Sequence, residues 1–342
     1  MLEFIKPSRL PEAASMRMKF LVTGSGGFIG SHVVETLVKT GHQIRALVRY
    51  NSRGSWGHLD ELAPGVRGKI EVRLGDVTDP SLVRSLVDGC DIVLHLAALI
   101  GIPYSYHAPA SYVATNVGGT LNVLEACRQA RVRRVIVTST SEVYGTARYT
   151  PIDEAHPLQG QSPYSASKIA ADKLAESFYC SFDLPVVTLR PFNTYGPRQS
   201  ARAVIPTVMT QALNGAEVIR LGNLEPKRDL TFVEDTARAF VLAAETPGIE
   251  GQVIHFGQGQ AVSIGELAQR CLDTVGSKAR LVSVSERQRP GKSEVGLLLC
   301  NATKARETLK WTPQVTLDEG LRRTADYMRA NLRQYKHEDY AV

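Results

Sequence analysis

The sequence of 342 residues contains no apolar run of about 18 residues, the length at which a membrane-spanning helix is predicted. Cysteine is also scarce: the five cysteines are widely spaced, form no C-x-x-C pair and have no histidine cluster near them. Scattered cysteines within apolar patterns are typical of small core residues in a reducing compartment. The sequence therefore predicts a cytoplasmic protein without a membrane anchor, a metal site or disulfide bonds.

The chain also lacks a concentrated patch of charge. Its formal net charge is +6, but the basic residues are dispersed, and the densest group, at positions 128–134, falls at a predicted helix end. Cations there complement the helix dipole, so no nucleic-acid partner is predicted. Internal repeats and low-complexity linkers are absent from the sequence as well. Residues 1–17 have no apolar segment of the kind that a signal peptide requires, and we expect either a disordered extension or a misplaced start codon, since Met16 and Met18 lie just before the first predicted strand.

Strand and helix patterns alternate from residue 19 to about residue 190. The apolar stretches 91–95 and 185–189 are continuous rather than alternating, as in parallel strands that are covered on both faces. We therefore predict an α/β fold with a doubly wound parallel sheet, whose ligands bind at the carboxyl ends of the strands. Beyond Pro191 prolines interrupt shorter elements, and residues 252–257 are typical of one strand that returns to the sheet.

A glycine-rich turn follows the first predicted strand, at residues 19–23. Its spacing is G-x-x-G-x-x-G, from Gly24 through Gly27 to Gly30, and an amphipathic pattern continues from it. A strand, a glycine turn and a helix form the context in which a dinucleotide pyrophosphate rests on a helix N-terminus. Alone this motif is weak, because a glycine-rich turn into a helix is often only a tight connection.

A second pattern places a phenol and an amine four residues apart, at Tyr164 and Lys168. On a helix these side chains share one face, and an ammonium beside a phenol lowers the phenol's pKa from its ordinary value of about 10. Thr140 and Glu142 follow the apolar run 135–137, which places a hydroxyl and a carboxylate at the end of a predicted strand. Tyrosine, lysine and threonine suffice for the oxidation of an alcohol. The additional glutamate predicts that a second proton is moved.

These motifs resemble those of the extended short-chain dehydrogenases/reductases, the NAD-dependent epimerase/dehydratase family that acts on nucleotide sugars. The resemblance covers roughly residues 18–335. It also rests on the stretches Gly75-Asp76-Val77, His95-Leu96-Ala97-Ala98, Asn116-Val117-Gly118-Gly119-Thr120, 190–198, Arg228-Asp229, Arg289-Pro290-Gly291 and 309–313. Within the family the sequence is most similar to 4,6-dehydratases of the legionaminic-acid type, through the segments 50–57, 102–107 and 199–206.

The resemblance implies two domains and a set of site residues. Residues 18–190 with about 233–258 form the dinucleotide-binding Rossmann domain, and about 191–232 with 259–335 form a smaller substrate domain. The implied catalytic residues are Thr140, Glu142, Tyr164 and Lys168. The residues expected at the cofactor are Gly24, Gly27, Phe28, Ile29, Gly30, Arg49, Asp76, Val77, Leu96, Ala97, Ala98, Asn116, Tyr164 and Lys168. Those expected at the substrate are Ser141, Asn193, Arg202, Arg228 and Arg289.

A redox-neutral 4,6-dehydration follows from the resemblance, with a tightly bound NAD or NADP that is recycled in place. Tyr164, assisted by Lys168 and Thr140, takes the proton of the sugar C4 hydroxyl while hydride leaves C4. Glu142 then removes the C5 proton, water leaves from C6, and hydride returns there. The expected substrate is a UDP- or GDP-linked N-acetylglucosamine.

One departure from the family pattern leaves alternatives open. Many dehydratases have an acid where this chain has Ser141, and Thr-Ser-Glu also occurs in UDP-glucuronate decarboxylases. A C4-epimerase has no evident use for Glu142, and a decarboxylase needs a cation for the C6 carboxylate, for which the sequence offers no dedicated residue. A catalytically inactive dinucleotide sensor is a third alternative, against which the intact Thr140, Tyr164 and Lys168 argue.

The choice between the two dinucleotides is open at this point. The second predicted strand, at residues 44–48, lies in a stretch from Glu35 to Asp60 that contains no other acid. Arg45 and Arg49 lie in that stretch instead. An acid binds the ribose 2′-hydroxyl of NAD, whereas arginine accommodates the 2′-phosphate of NADP. The residues favour NADP and the resemblance favours NAD.

A homodimer is the expected assembly. The helices predicted at about 109–130 and 162–180 carry apolar or small residues on more than one face, so both need cover on their outer sides. Family members commonly pair through these two helices.

Overall fold

The computed structural model describes residues 17–335; residues 1–16, which hold nearly all of the expected extension, and residues 336–342 lie outside the described part. The strands are β1 Lys19–Thr23, β2 Gln43–Arg49, β3 Ile70–Gly75, β4 Ile92–His95, β5 Arg134–Thr138, β6 Val186–Pro191, β7 Asn193–Tyr195, β8 Val218–Leu221, β9 Lys227–Phe232, β10 Val253–Phe256, β11 Ala261–Ser263, β12 Arg280–Ser283 and β13 Leu297–Leu298. The helices are α1 Phe28–Lys39, α2 Pro64–Arg67, α3 Pro80–Val87, α4 Ile102–His107, α5 Pro109–Tyr112, α6 Gly119–Ala130, α7 Pro163–Phe182, α8 Val204–Leu213, α9 Val233–Glu245, α10 Ile264–Val275, α11 Thr303–Leu309 and α12 Leu317–Ala330.

Seven parallel strands form the main sheet, in the order β10-β6-β5-β4-β1-β2-β3. Every residue of β4 and of β6 is buried, as expected from their continuous apolar sequences. Helices α1 and α9 cover one face of this sheet, and α3, α6 and α7 cover the other, each with its own apolar core. The predicted doubly wound α/β fold is confirmed.

The last strand of the main sheet comes from late in the chain. Strand β10 pairs in parallel with β6, so that Val253 lies opposite Thr188 and Phe256 opposite Pro191. The prediction that residues near 252–257 return to the sheet is therefore correct. The helix that precedes β10 is α9, which packs against α1.

The remaining elements form a smaller group beside the carboxyl ends of the main strands. Strands β7, β9, β11 and β13 make a second sheet, and β8 pairs with β12. Helices α8, α10 and α12 pack together over a third apolar core, which includes Ile205, Phe232, Leu267 and Leu321. Because β7 follows β6 after a single residue, this group is attached directly to the strand ends where an open sheet binds its ligands.

Two negative findings concern the part of the chain that the structure describes. None of the helices within residues 17–335 is long and apolar enough to cross a membrane. Over the same range no three His, Cys, Asp or Glu side chains are grouped so that they could hold a metal ion.

Four of the cysteines are buried as expected, whereas Cys180 is exposed.

Candidate active site

A cavity of about 990 Å³ lies at the carboxyl ends of β1, β4, β5 and β6, between the main sheet and the smaller group of elements. Most of the residues that the sequence predicts for the site line this one cavity. They are Gly24, Gly27, Phe28, Ile29, Gly30, Arg49, Leu96, Ala97, Ala98, Thr140, Ser141, Glu142, Tyr164, Lys168, Asn193, Arg202, Arg228 and Arg289. The predicted catalytic, cofactor and substrate residues are thus brought together, except for three that are described below.

Helix α7 carries the phenol and the amine on one buried face. Ser162 caps its N-terminus in a reciprocal capping box with Ser165, and Pro163 occupies the first turn, so the helix begins just ahead of Tyr164. The four-residue spacing then places Tyr164 and Lys168 one above the other, and both are buried. The Lys168 Nζ donates a hydrogen bond of 2.5 Å to the carbonyl oxygen of Thr138, at the end of β5.

The protonation of this pair differs from the expectation. Burial raises the pKa of the Tyr164 phenol well above its ordinary value; a hydrogen bond with Thr140 opposes this, and the nearby charge of Glu142 adds to it. Burial also lowers the pKa of Lys168 to about 8, while the carboxylate of Asp172 acts in the opposite direction. A phenol with a lowered pKa is therefore not found in the protein by itself, because desolvation outweighs the Thr140 hydrogen bond that acts to lower it.

The threonine and the glutamate lie in one short turn after β5. A 3₁₀ helix spans Ser141–Tyr144, and the Thr140 Oγ1 caps it by accepting a hydrogen bond of 3.2 Å from the Glu142 backbone N–H. Gly145 ends the turn with φ at 59°, a conformation that glycine adopts at little cost. Ser141 is buried and Glu142 half-buried. The turn therefore presents a hydroxyl and a carboxylate to the cavity side by side.

The glycine turn has the shape that a dinucleotide pyrophosphate requires. Gly24 has φ at 69°, and a Cβ atom there would lie 2.7 Å from the Ala97 backbone nitrogen. A Cβ atom on Gly30 would collide with the Gly24 carbonyl oxygen. Helix α1 begins after Gly27 without a side-chain cap, so the backbone N–H groups of its first turn are available to an anion. These residues fit the expected cofactor.

The two arginines considered for a 2′-phosphate are differently placed. Arg49 ends β2 on the cavity wall; its side chain is 78% exposed, and its Nε lies 3.7 Å from Asp76 Oδ2. Arg45 is used for structure instead: its Nη1 donates to the carbonyl oxygens of Leu86 and Asp88, and its Nε donates to Glu71. The suggestion that Arg45 accommodates a 2′-phosphate is wrong, because its guanidinium bonds Leu86, Asp88 and Glu71 and does not line the cavity.

Three residues predicted at the cofactor do not line the cavity. Asp76 Oδ1 accepts hydrogen bonds from the backbone N–H and the hydroxyl of Thr78, so it caps a turn. Val77 belongs to the apolar core under α6. Asn116 is buried in a π-helical segment, Val113–Gly118, where its side chain bonds both backbone groups of Leu99 and the hydroxyl of Ser167. Asn116 therefore fixes a wall segment rather than facing the cavity.

The end of the cavity expected to hold the substrate contains the two predicted arginines Arg228 and Arg289. It also contains an acid, Glu294, that the sequence analysis did not predict. The buried Arg228 donates to the carbonyl oxygens of Lys227 and Val295 at 3.0 and 2.8 Å, and its Nη2 lies 3.5 Å from Glu294. Arg289 lies 3.8 Å from the same carboxylate. No sequence motif predicted Glu294, since its pairing with Arg228 depends on contact between distant segments.

Two further polar groups lie on the walls. The Oδ1 atom of Asn193 is buried, and no residue between 17 and 335 hydrogen-bonds to it. The exposed Arg202 reaches the opposite wall, where its Nη1 would lie 3.4 Å from a Cβ atom on Gly101. Burial raises the pKa of Tyr112, and the nearby charge of Arg202 acts against that rise. Tyr112 in turn packs edge-on against Tyr164 at a centroid distance of 6.2 Å, so Arg202 stands near the catalytic end of the cavity.

The arrangement supplies the groups for acid–base chemistry on a bound anion. A phenol, an ammonium, a hydroxyl and a carboxylate converge at the ends of β5 and α7, and two arginines with an asparagine lie across the cavity. Its volume of about 990 Å³ is at the upper end of the range of about 300–1,000 Å³ that is usual for ligand pockets. The geometry therefore supports proton transfers beside a cofactor.

Comparisons with known proteins agree with this description. The GDP-mannose 4,6 dehydratase family matches residues 21–324. A dTDP-glucose 4,6-dehydratase from Actinoplanes sp. is 33% identical, over 92% of this chain and 98% of that protein. A UDP-glucose 4-epimerase from Mycolicibacterium smegmatis is also 33% identical, over 91% of this chain and 98% of that protein. The crystal structure of a dTDP-glucose 4,6-dehydratase from Streptomyces venezuelae with NAD bound has a TM-score of 0.84 and 29% identity, and covers 93% of this chain and 99% of that chain.

Proposed function

The chain belongs to the GDP-mannose 4,6 dehydratase family of extended short-chain dehydrogenases/reductases, and from that premise we propose that it is an NAD-dependent nucleotide-sugar 4,6-dehydratase. One observation carries the proposal: the half-buried carboxylate of Glu142 lines the same cavity as Thr140, Tyr164 and Lys168. The narrower proposal for the substrate is a nucleoside-diphosphate N-acetylglucosamine, as the sequence resemblance implies.

The binding roles follow from the position of the charges. The glycine turn and the start of α1 hold the dinucleotide, and Arg228, Arg289 and Asn193 bind the diphosphate of the nucleotide sugar. NAD rather than NADP is favoured, since Arg45 is engaged elsewhere and the related dehydratase structure contains NAD. The division into a dinucleotide-binding and a substrate domain, as expected from the sequence, is part of the proposal.

The first half of the reaction uses α7 and the turn after β5. Tyr164 accepts the proton of the C4 hydroxyl, with the Lys168 ammonium to stabilise the phenolate and the Thr140 hydroxyl to orient it. A nicotinamide held by the glycine turn and the start of α1 would supply the hydride chemistry between C4 and C6. Because burial raises the pKa of Tyr164, this proton transfer depends on positive charge in the cavity, to which Lys168 contributes.

The second half falls to Glu142. The 4-keto group acidifies the C5 hydrogen, and the Glu142 carboxylate takes that proton as the C5–H bond breaks. Ser141 is no acid, so the protonated Glu142 gives the same proton to the C6 oxygen as the C6–O bond breaks and water leaves. When hydride has returned to C6, the proton that Tyr164 took from O4 is delivered to C5, directly or through Glu142. The proton from O4 thus ends at C5 and the proton from C5 ends in the released water, so the proton transfers balance without an additional acid.

C4-epimerisation is the second candidate function, because the epimerase from M. smegmatis is as similar to this chain as the dehydratase from Actinoplanes. An epimerase moves hydride away from C4 and back, and it needs no carboxylate near C5. For the decarboxylase alternative, which needs a cation for the C6 carboxylate of its substrate, Arg202 supplies one near the catalytic end of the cavity. Dehydration remains favoured over C4-epimerisation, since an epimerase has no evident use for Glu142.

A substrate carrying deuterium at C5 distinguishes the two functions. The wild-type enzyme is incubated in ordinary water with UDP- and GDP-linked N-acetylglucosamine and glucose, and the products are separated from their C4-epimers by chromatography and then read by mass spectrometry. A dehydratase yields a product that has lost water and exchanged the C5 label. Conversion with the C5 deuterium fully retained and no loss of water would show the epimerase function instead.

We also propose that the protein is a cytoplasmic homodimer that pairs through α6 and α7. Their outer sides expose Leu121, Tyr179 and Phe182, which are large apolar side chains on a helical pair. Light scattering of the purified protein at micromolar concentration tests this, and a monomeric mass would contradict it.

A further inference from the structure

Helix α7 carries a third buried ionisable side chain on the face of Tyr164 and Lys168. Asp172 follows Lys168 by four residues, as Lys168 follows Tyr164, so the three side chains occupy successive turns. Asp172 is 3% exposed, and it is not among the residues that line the catalytic cavity. A carboxylate buried this deeply is retained only where its charge is compensated.

The charge of Asp172 is compensated by a hydrogen-bond network behind the active site, and this network contacts only one of the two carboxylate oxygens. Oδ2 of Asp172 accepts hydrogen bonds from the Ser139 hydroxyl at 2.7 Å and from the Arg190 Nε at 3.0 Å, and the Arg190 Nη2 lies 2.9 Å away. Arg190 is held in turn by the Tyr144 hydroxyl, which also contacts His255. Oδ1 accepts no hydrogen bond from any residue between 17 and 335.

Asp172 also borders a second cavity, of about 470 Å³, on the other flank of α7. Thr188 and Arg190 of β6 line it together with Asp172, as do the carboxylates Glu154 and Glu176. The carboxylate therefore stands between the catalytic lysine on one side and a polar cleft on the other. This position lets its charge act on Lys168 without contact with substrate.

The charged and titratable groups around the pair are few. His95 of β4 faces Lys168 and is neutral, because burial and the lysine charge lower its pKa to about 3. Arg190 from β6 and Tyr144 from the turn after β5 face Asp172, and Glu154 lies beyond them. Burial raises the pKa of Asp172, whereas Arg190 and the Ser139 hydrogen bond act to keep it ionised. Of these groups Asp172 is the one whose charge favours the ammonium form of Lys168.

We propose that Asp172 is a positioning residue for catalysis, whose buried carboxylate keeps Lys168 in the ammonium form beside Tyr164. The inference rests on the proposed function, since it assumes that Lys168 assists Tyr164. Without a negative charge on that face, a lysine with one carbonyl partner in a desolvated site releases its proton more readily. The phenolate of Tyr164 would then lose its stabilising charge.

The test is the pH dependence of the rate at which C4 of the sugar is oxidised. A dehydratase and an epimerase share this half reaction, so the test can be carried out even if the dehydration proposal fails. Asp172→Asn keeps the shape and removes the charge. We expect the alkaline limb of the pH–rate profile to move to lower pH by about one unit, with a smaller effect at pH values below it. Asp172→Glu, which keeps the charge, should leave the limb near its wild-type position.

Two further variants separate this role from a structural one. Asp172→Asn leaves the buried Arg190 unpaired and can unfold the protein, so the double variant Asp172→Asn/Arg190→Gln, without the lone charge, serves in its place. Glu176→Gln, an exposed carboxylate on the same helix, is the matched control and should not move the limb. If folded variants without the Asp172 charge lose activity uniformly with an unmoved alkaline limb, the inference is wrong.

Discussion

Arg198 and Glu35 form an ion pair of 3.1 Å that joins the loop after β7 to helix α1 of the glycine turn. Arg198 adopts φ at 68°, which is unusual for a residue with a side chain, so its backbone is fixed by these contacts. Nearby, the Tyr335 hydroxyl donates to the Gln199 carbonyl oxygen at 3.1 Å, and the Tyr327 hydroxyl donates to Glu61 at 2.7 Å. The Arg198–Glu35 pair and the Tyr327–Glu61 bond fasten the smaller group of elements to the dinucleotide side of the cavity, whereas the Tyr335–Gln199 bond ties the residues after α12 to the loop that carries Arg198.

This connection predicts that Arg198 helps to retain the cofactor. Replacing Arg198 by Ala removes a half-buried ion pair worth on the order of 1 kcal/mol, so we expect bound nicotinamide to be lost several-fold faster. The measurement is the amount of nicotinamide in acid extracts of the purified protein after successive desalting steps. Arg198→Gly tolerates the positive φ and separates side-chain loss from backbone strain.

The matched control for this prediction is Arg323→Ala, which removes the ion pairs of α12 with Glu234 of α9 and with Glu319, neither of which involves the helix of the glycine turn. Arg323→Ala should retain cofactor like the wild type. Equal retention in all three variants and the wild type would show that the Arg198 contact does not hold the cofactor.

The sequence predicts the main sheet and most of the cavity because these depend on local patterns. Continuous apolar runs identify β4 and β6, and the four-residue spacing of Tyr164 and Lys168 becomes a shared helix face. Arg198 and Glu294 were missed as partners in the site because their contacts join segments that are distant in sequence. Local spacing carries no signal for such pairs.

The incorrect placement of Arg45 has a different cause. Only residues at the carboxyl end of a parallel strand reach the ligand cleft. Arg49 is the last residue of β2 and lies on the wall, whereas Arg45 lies two pairs into the strand, opposite Glu71 of β3. A strand boundary known only to within a few residues cannot distinguish these two positions.

Replacing Tyr164 by Phe should abolish the proton transfer and leave the fold intact. The ring still packs edge-on against Tyr112, and only the hydroxyl is lost. Loss of a positioned acid–base group costs roughly 10²–10⁴-fold in rate, so turnover should fall by that factor while the melting temperature changes little. Near-wild-type turnover in folded Tyr164→Phe would remove Tyr164 from the mechanism.

Buried His95 should make the protein less stable as the pH falls below about 6.5. Its Nε2–H donates to the Thr120 hydroxyl, which itself donates to the Asn116 carbonyl, and its Nδ1 accepts from Thr23. Both ring nitrogens are therefore committed in the neutral form, and burial with the charge of Lys168 lowers the pKa to about 3. The unfolded state binds a proton first, so stability is complete above pH 6.5 and is lost as the pH falls toward 3.

The measurement for this prediction is the melting temperature between pH 6.5 and 5, where most carboxylates are still ionised, although Asp229, whose pKa burial raises to about 6, takes up a proton there and opposes the trend. His32 and His255, whose pKa values burial lowers to about 4 and about 3, contribute in the same direction as His95. His95→Gln should flatten part of the slope without removing it. A melting temperature that stays constant or rises as the pH falls over this range would contradict the assignment.

Replacing Glu142 by Gln separates the two halves of the proposed reaction. The amide keeps the shape of the side chain but cannot accept the C5 proton, whereas the Tyr164–Lys168 pair is unchanged. The variant should oxidise C4 and then stall, with a lasting rise in near-ultraviolet absorbance from the reduced cofactor and a loss of 4-keto-6-deoxy product of roughly 10²-fold or more. Substrate deuterated at C5 should exchange its label with the wild type and keep it with the variant. Glu142→Asp, which restores a carboxylate, is the matched control and should recover part of the exchange. A Glu142→Gln enzyme that forms product and exchanges the label at wild-type rates would exclude Glu142 as the base at C5.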